Sequence, residues 1–102
     1  MILHHIQTSA MTDDALTTCL RYMHPTDSVL LSSDAVNCLL QTQWQQALTD
    51  VKLFVLQDDV VARGLVDRLM IIFANNTTSS FDIIDYSQFV EQSLLHDKVI
   101  TW

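Results

Sequence analysis

Glycine is almost absent from this sequence, and its scarcity excludes the common nucleotide-binding loops. The single glycine, Gly64, follows a short predicted helix. A phosphate-binding loop needs several glycines so that backbone N–H groups can approach the phosphate. The predicted helix starts carry aspartates instead, at Asp34, Asp58, Asp59 and Asp85, and their carboxylates would repel an anion. We therefore expect no nucleotide cofactor, and the sequence indicates no other cofactor.

Basic residues are also scarce, which argues against a direct nucleic-acid partner. Five lysines and arginines stand against twelve aspartates and glutamates, so the formal net charge is −7. Binding to a phosphate backbone requires clustered cations. The cations here are scattered along the chain: Arg21, Lys52, Arg63, Arg68 and Lys98.

The sequence also lacks a membrane-spanning apolar run and an export signal, and it contains few cysteines. No run approaches the roughly 20 residues that span a bilayer, and no signal peptide is visible at the N-terminus. The two cysteines, Cys19 and Cys38, allow one disulfide by parity alone. Because cysteines without an export signal are normally reduced, we expect a cytoplasmic protein with two thiols and no membrane contact.

The histidines and serines lack the spacing of a metal or hydrolase site. No two of the four histidines have the i, i+4 helical spacing of metal ligands. His4 and His5 are adjacent, so a strand would direct them to opposite faces of its sheet. A Gly-x-Ser-x-Gly sequence is absent. We therefore predict no metal site and no serine nucleophile.

Apolar residues, in contrast, are abundant and grouped in short runs. They make up 49% of the chain, and charged residues make up 17%. This is enough for one core in a single domain spanning residues 1–102. A domain of this size cannot bury every apolar side chain. We therefore expect part of the apolar surface to contact a protein partner.

Five of these runs predict β-strands, and helical patterns lie between them. The run from Val51 to Leu56 is apolar on both faces and rich in β-branched and aromatic residues, which is typical of a covered parallel sheet. The alternation predicts an α/β fold with a mostly parallel sheet of about five strands and helices on both faces. The strand candidates are residues 2–7, 27–33, 51–56, 81–84 and 98–102.

The second helical pattern decides where Cys38 lies. One helix beginning near Asp34 would place Val36 and Trp44 on its core side. Cys38 would then lie about 160° from Val36 and point away from the core. Two shorter helices in this segment would remove that argument, and both alternatives remain open here.

The segment from Asp58 to Gly64 has helix signals at both ends. The paired carboxylates Asp58-Asp59 suit a first turn, and Gly64 suits a helix end. Residues 65–73 fit either a strand or a helix, and their shared apolar side favours a helix. Asp85 with Gln88 three residues later is typical of a capping box.

Cys19 is the candidate for chemistry, and two interpretations of it compete. Leu16, Cys19, Leu20 and Met23 form one apolar helical face, so Cys19 is either a small core residue or a thiol poised to carry sulfur. A reactive thiol needs access and a lowered pKa. Cys38 has no basic neighbour and fits a surface cysteine.

Three motifs of this sequence resemble a known family. Leu3-His4 followed by Ser9-Ala10 resembles its N-terminal strand and turn. Asp58 to Leu65 is similar to its stretch of acidic, apolar and Ala-Arg-Gly residues, and Asp82 to Val90 with His96 and Trp102 is similar to its C-terminal signature. The family is DsrH/TusB, the small subunit of the DsrEFH and TusBCD sulfur-relay complexes.

The resemblance implies a flavodoxin-like, three-layer domain in a heterohexamer with TusC/DsrF-like and TusD/DsrE-like subunits. It implies that the complex relays persulfide sulfur, through a TusE/DsrC-like carrier, toward 2-thiouridine at the tRNA wobble position. The main sulfur-carrying cysteine is expected on a partner subunit. Cys19 matches the first-helix cysteine of DsrH-type members, which makes it a candidate accessory sulfur carrier.

Departures from the family pattern and alternative functions remain. Ser33-Asp34-Ala35 stands where the family often has Asp-Gly, so this turn must be made differently. Ser9-Ala10 replaces a common Ser-Pro, and the segment of residues 70–80 is longer than the corresponding segment in short members.

The alternative functions are a subunit of a dissimilatory sulfur-oxidation relay and a homodimeric interaction domain without sulfur chemistry.

Overall fold

Five parallel strands form the centre of the computed structural model, which describes residues 1–74 and 81–102. Their order in the sheet is β4-β3-β2-β1-β5, and each neighbouring pair is parallel. All five predicted strands are confirmed, with β2 at the centre and β3 second from one edge. The strands are β1 Ile2–Ile6, β2 Ser28–Leu31, β3 Lys52–Leu56, β4 Asp82–Ile84 and β5 Lys98–Thr101.

Helices connect the strands, and the helix predicted for residues 65–73 is confirmed. The predicted polar loop after it lies mostly outside the described residues. In the described part of the chain, no helix combines the length and apolar composition that a membrane crossing requires. The helices are α1 Ala15–Tyr22, a 3₁₀ helix Ser33–Leu40, α2 Thr42–Ala47, α3 Gln57–Ala62, α4 Val66–Ala74 and α5 Tyr86–Leu95.

The direction of each crossover decides which face its helix covers. From β1 to β4 the chain steps in one direction across the sheet, and it then returns over the whole sheet to β5. Right-handed crossovers therefore place α5 on the face opposite to the other helices. The three-layer α/β sandwich is confirmed, but its two outer layers are unequal.

Two hydrophobic cores follow from this arrangement. The larger core lies on the face that α1, the 3₁₀ helix and α2 to α4 cover, which we call the multi-helix face. It includes the strand residues Ile6, Val29, Leu31 and Val55, which pack with helix residues such as Leu16. On the α5 face, the core is smaller and consists of Leu3, Leu30, Phe54 and Ile84 with Phe89 and Val99 against them. Because strand side chains alternate, β1, β2 and β3 each contribute to both cores.

Residues 33–47 do not form one helix, and the prediction of an outward-pointing Cys38 is wrong. Gln41 has extended backbone angles and separates the 3₁₀ helix from α2. A 3₁₀ helix has three residues per turn, so Cys38 lies in line with Ala35 and faces the core. Cys38 is 3% exposed. Of the two alternatives, two shorter helices are the correct one.

The predicted helix signals are confirmed at α3 and α5. Asp58 and Asp59 lie in the first turn of α3, and Gly64 follows that helix with φ +63°. At α5, the Asp85 carboxylate accepts from the Gln88 backbone N–H at 2.8 Å, and the Gln88 side chain accepts from the Asp85 backbone N–H at 3.0 Å. This is a complete capping box.

Candidate functional site

The Cys19 thiol lies inside the larger core. It is 0% exposed and packs on the multi-helix face beside the first and second strands. Burial raises the pKa of the Cys19 thiol to about 11, and the negative charge of Asp27 contributes to the rise. A thiol in this setting is protonated at neutral pH and out of reach of a donor, so the geometry favours the packing interpretation.

Cys38 shares this setting. Burial raises its pKa to about 12, and both cysteines are free thiols. Among residues 1–74 and 81–102, therefore, no cysteine offers an accessible thiolate in this conformation.

Three polar side chains that are far apart in sequence meet at the first strand. His4 Nε2 lies 2.9 Å from Asp27 Oδ2, and both residues are buried. The Trp102 indole N–H donates to His4 Nδ1 at 3.1 Å. Because an indole N–H can only donate, His4 Nδ1 must be the acceptor and the imidazole proton must sit on Nε2. The network therefore fixes one neutral tautomer of His4.

Asp27 accepts more hydrogen bonds than any other residue of this network. Its Oδ1 accepts from the Ile2 backbone N–H at 2.9 Å, and its Oδ2 accepts from the His24 backbone N–H at 3.0 Å. Burial alone would raise the pKa of Asp27, but the hydrogen bonds from His4, His24 and Ile2 outweigh it and lower the pKa to about 2. The partners of Asp27 are two backbone N–H groups and the buried His4 ring, which in turn binds the Trp102 indole. The network therefore connects β1, the loop before β2 and the end of β5, and we interpret it as structural rather than as a reaction centre.

His5 points to the opposite face of the sheet, as the strand alternation predicts. Its Nε2 lies 2.7 Å from Ser32 Oγ, and its ring meets Phe89 edge-on at 5.2 Å between centroids. Burial lowers the pKa of His5, and the negative charge of Asp59 opposes this. Ser32 is 4% exposed, so this serine–histidine pair lacks the access that a nucleophile needs.

The third interior histidine closes the C-terminal end of α5. His96 Nδ1 donates to the Gln92 carbonyl at 2.6 Å, and Nε2 lies 3.0 Å from Ser28 Oγ. Within the described residues, no group of three or more histidine, cysteine or acidic side chains is arranged to hold a metal ion.

The aspartates and arginine of the family-like motif build the turn after β2. Ser33 has φ +49°, a left-handed conformation that normally favours glycine. Its backbone N–H donates to Asp59 Oδ2 at 2.8 Å. Arg63 lies 3.5 Å from Asp59 Oδ1 and 2.9 Å from Asp34 Oδ1. This is how the chain makes the turn at Ser33-Asp34-Ala35, where the sequence departs from the family pattern: Asp59 on α3 holds Ser33 in a left-handed conformation.

Sequence reasoning missed the roles of Asp27 and Trp102. Asp27 is the single acidic residue between Ala15 and Ser33, and it precedes a buried strand. That isolation is a weak signal, because nothing local identifies His4 as the partner of Asp27, 23 residues earlier, or as the partner of Trp102, 98 residues earlier.

The exposed surface of α5 is the remaining feature. Tyr86, Val90, Leu94 and Leu95 are between 56% and 80% exposed. Single exposed apolar residues are common on protein surfaces, but here four large ones lie on one ten-residue helix. Such patches mark interaction sites.

Comparison with known proteins gives both family and fold matches. A family model described as "DsrH like protein" matches residues 8–99. Proteins named "Protein TusB" from Yersinia pestis (strain Pestoides F) and Yersinia pseudotuberculosis (serotype O:1b, strain IP 31758) are 34% identical over 90 residues, covering 85% of this chain and 86% of theirs. The crystal structure of the ychN protein from E. coli matches 99% of this chain and 97% of its own, with a TM-score of 0.75 and 19% identity, which supports the fold alone.

Proposed function

Because this chain belongs to the DsrH family, with relatives named TusB, we propose that it is an accessory, non-catalytic subunit of a sulfurtransferase complex. Acting as a single cytoplasmic domain of residues 1–102, it supports the relay of persulfide sulfur toward 2-thiouridine formation at the tRNA wobble position. The observation that carries this proposal is the burial of both thiols, since a subunit that accepted sulfur as its main task would present one.

The proposed partners are TusC/DsrF-like and TusD/DsrE-like subunits in a heterohexamer, with a TusE/DsrC-like carrier receiving the sulfur. The sulfur-carrying cysteine is placed on the TusD/DsrE-like partner. The exposed apolar residues of α5 support an assembled state. The net charge of −7 supports contacts with proteins and leaves tRNA to other components.

The test is gene deletion in the source organism, followed by mass spectrometry of tRNA nucleosides. We expect 2-thiouridine derivatives to disappear on deletion and to return when the wild-type chain is supplied. Native mass spectrometry of the chain co-expressed with both partner subunits should give two copies of each. Unchanged tRNA thiolation, together with a loss of sulfur oxidation, would assign the chain to the oxidation relay instead.

A sulfur-carrying role for Cys19 stays a prediction. It requires α1 to move, because the thiol is sealed in the core of the described structure. After exposure of the complex to a persulfide donor, the mass of this subunit should increase by one sulfur atom in the wild type and in Cys38→Ala, but not in Cys19→Ala. If Cys19→Ala supports full tRNA thiolation, the cysteine has a packing role only.

A further inference from the structure

The outer side of α5 carries a continuous apolar row. Tyr86 is 60% exposed, Val90 is 56% exposed and Leu94 is 80% exposed. Residues four apart on an α-helix are rotated by only about 40° relative to each other. These three side chains therefore form one row along the helix, which we call the α5 ridge (Tyr86, Val90 and Leu94).

The ridge lies on the thinly covered side of the sheet. In the described part of the chain, α5 is the one helix on this face, whereas the other helices contribute to the opposite core. An open groove of about 460 Å³ runs between α5 and β4, on the flank away from the ridge. Its lining includes Phe54, Asp82, Ile84, Gln88, Glu91 and Gln92.

Carboxylates outnumber cations near the ridge and the groove. Residues 81–102 contain four acidic side chains, Asp82, Asp85, Glu91 and Asp97, against one cationic side chain, Lys98. Asp97 is paired with the N-terminal amine, whereas Asp82 and Glu91 line the groove and Asp85 caps the start of α5. The exposed apolar residues on α3 and α4 have charges of both signs nearby, because Asp67 and Arg68 precede Met70, and Asp58 and Arg63 flank Val61. The apolar surface of α5 thus differs from that of α3 and α4 in having mainly carboxylates at its border.

We propose that the α5 ridge docks a protein subunit whose own apolar contact surface is bordered by lysines or arginines. The inference rests on the proposed function, which supplies the class of partner. A second copy of this chain is the less suitable occupant, because two α5 surfaces would bring carboxylates against carboxylates. Opposite charges at the border would instead accelerate docking and fix its orientation.

The first experiment measures binding of purified variants to the TusC/DsrF-like and TusD/DsrE-like subunits from the same organism, by calorimetry. Leu94→Glu places a charge on the ridge, and Met70→Glu places the same charge at a similarly exposed apolar position on α4. We expect Leu94→Glu to weaken binding by at least about tenfold and Met70→Glu to change it by less than about twofold. Both side chains are exposed, so circular dichroism should show a wild-type fold for each variant.

The second experiment tests the charge of the partner. Glu91→Lys should weaken binding and reduce its dependence on salt, whereas Asp67→Lys on α4 should do neither.

The outcomes separate the inference from the proposed function. If the wild-type chain binds neither subunit, the proposed function fails and the inference fails with it. If it binds and Met70→Glu rather than Leu94→Glu disrupts the complex, the proposed function stands and the docking surface is wrong. If light scattering shows a dimer of this chain alone that Leu94→Glu dissociates, a second copy is the occupant and the basic-bordered partner is wrong.

Discussion

At the scale of single residues, several polar side chains in the interior of this protein are held by long-range hydrogen bonds. His4, Asp27 and His96 are all buried, and each has a hydrogen-bond partner from a distant part of the chain. A buried charge is tolerated when several donors surround it. Asp27 meets this condition with three donors, so we expect its replacement to destabilise the fold.

We expect Asp27→Asn to lower the free energy of unfolding by about 2–3 kcal/mol. The asparagine NH2 would face a donor in either orientation of the amide, either the Ile2 N–H or the His4 Nε2–H and His24 N–H. His4 cannot relieve this by changing tautomer without opposing the Trp102 N–H. Urea unfolding at pH 7 measures this loss. Asp97→Asn is the matched control, because Asp97 is exposed and its carboxylate pairs with the N-terminal amine. Equal unfolding midpoints for the two variants would contradict the role given to Asp27.

The two thiols should not react with thiol reagents in the native state. We expect a colourless disulfide reagent at pH 7 to react with neither Cys19 nor Cys38 until denaturant is added, because both thiols are buried and their pKa values are raised to about 11 and about 12. The released chromophore reports the number of thiols that react. Rapid reaction of Cys19 in the native chain, lost in Cys19→Ala, would show that α1 opens easily and would favour the sulfur-carrier prediction.

At the scale of elements, the turn after β2 shows how one helix supports another segment. Ser33 adopts a left-handed backbone conformation, and Asp59 on α3 binds its N–H. The arginine that follows, Arg63, joins Asp59 to Asp34. The Ala-Arg-Gly motif is therefore a structural device that connects two crossovers.

We expect Ser33→Gly to raise the free energy of unfolding by about 0.5–1 kcal/mol. A left-handed conformation costs an L-residue about 1–2 kcal/mol, and the greater freedom of glycine in the unfolded chain offsets about 0.5–1 kcal/mol of the gain. Gly64→Ala, at φ +63° with no atom within 4 Å of the added Cβ, should lower stability by a similar amount. Thermal and urea unfolding measure both, and a destabilised Ser33→Gly would show that the serine side chain itself holds the turn.

The elements were predictable where local pattern decides them. The five strands, the capping box at Asp85 and the helix end at Gly64 follow from residue types over short windows. The 3₁₀ helix was not predictable, because a 100° and a 120° rotation per residue give similar apolar patterns over eight residues. For the candidate site, the sequence predicts only where the cysteines lie along the elements. It places Cys19 on an apolar helical face, but the burial of its thiol depends on how distant strands and helices pack against that face.

At the scale of the whole molecule, the titrating groups limit stability on both sides of neutrality. Burial lowers the pKa of His5 below its ordinary 6.5, so the unfolded chain binds more protons below that pH and stability falls on acidification. Asp27 adds a second loss as the pH drops from 3.8 through about 2. Above pH 9, the unfolded chain loses thiol protons that the folded chain retains at Cys19 and Cys38, so stability falls again.

We therefore expect maximum stability between about pH 6.5 and pH 9, with each thiol steepening the alkaline decline by up to about 1.4 kcal/mol per pH unit. Melting temperatures measured from pH 3 to about pH 11 test this range. The double variant Cys19→Ala with Cys38→Ala should have lower stability at pH 7 but a flatter alkaline side. An alkaline decline of unchanged steepness in that variant would show that the thiols do not cause it.

The pairing of β1 with β5 also sets which part of the sheet depends on a long-range contact. Strands β1, β2 and β3 are consecutive in the chain and neighbours in the sheet, whereas the other side of β1 is filled by β5. Until β5 is in place, β1 has an open edge and His4 lacks its indole partner, Trp102, which lies 98 residues away in the sequence. Closing this edge therefore carries the chain-entropy cost of a long loop, which makes it a slow step of folding.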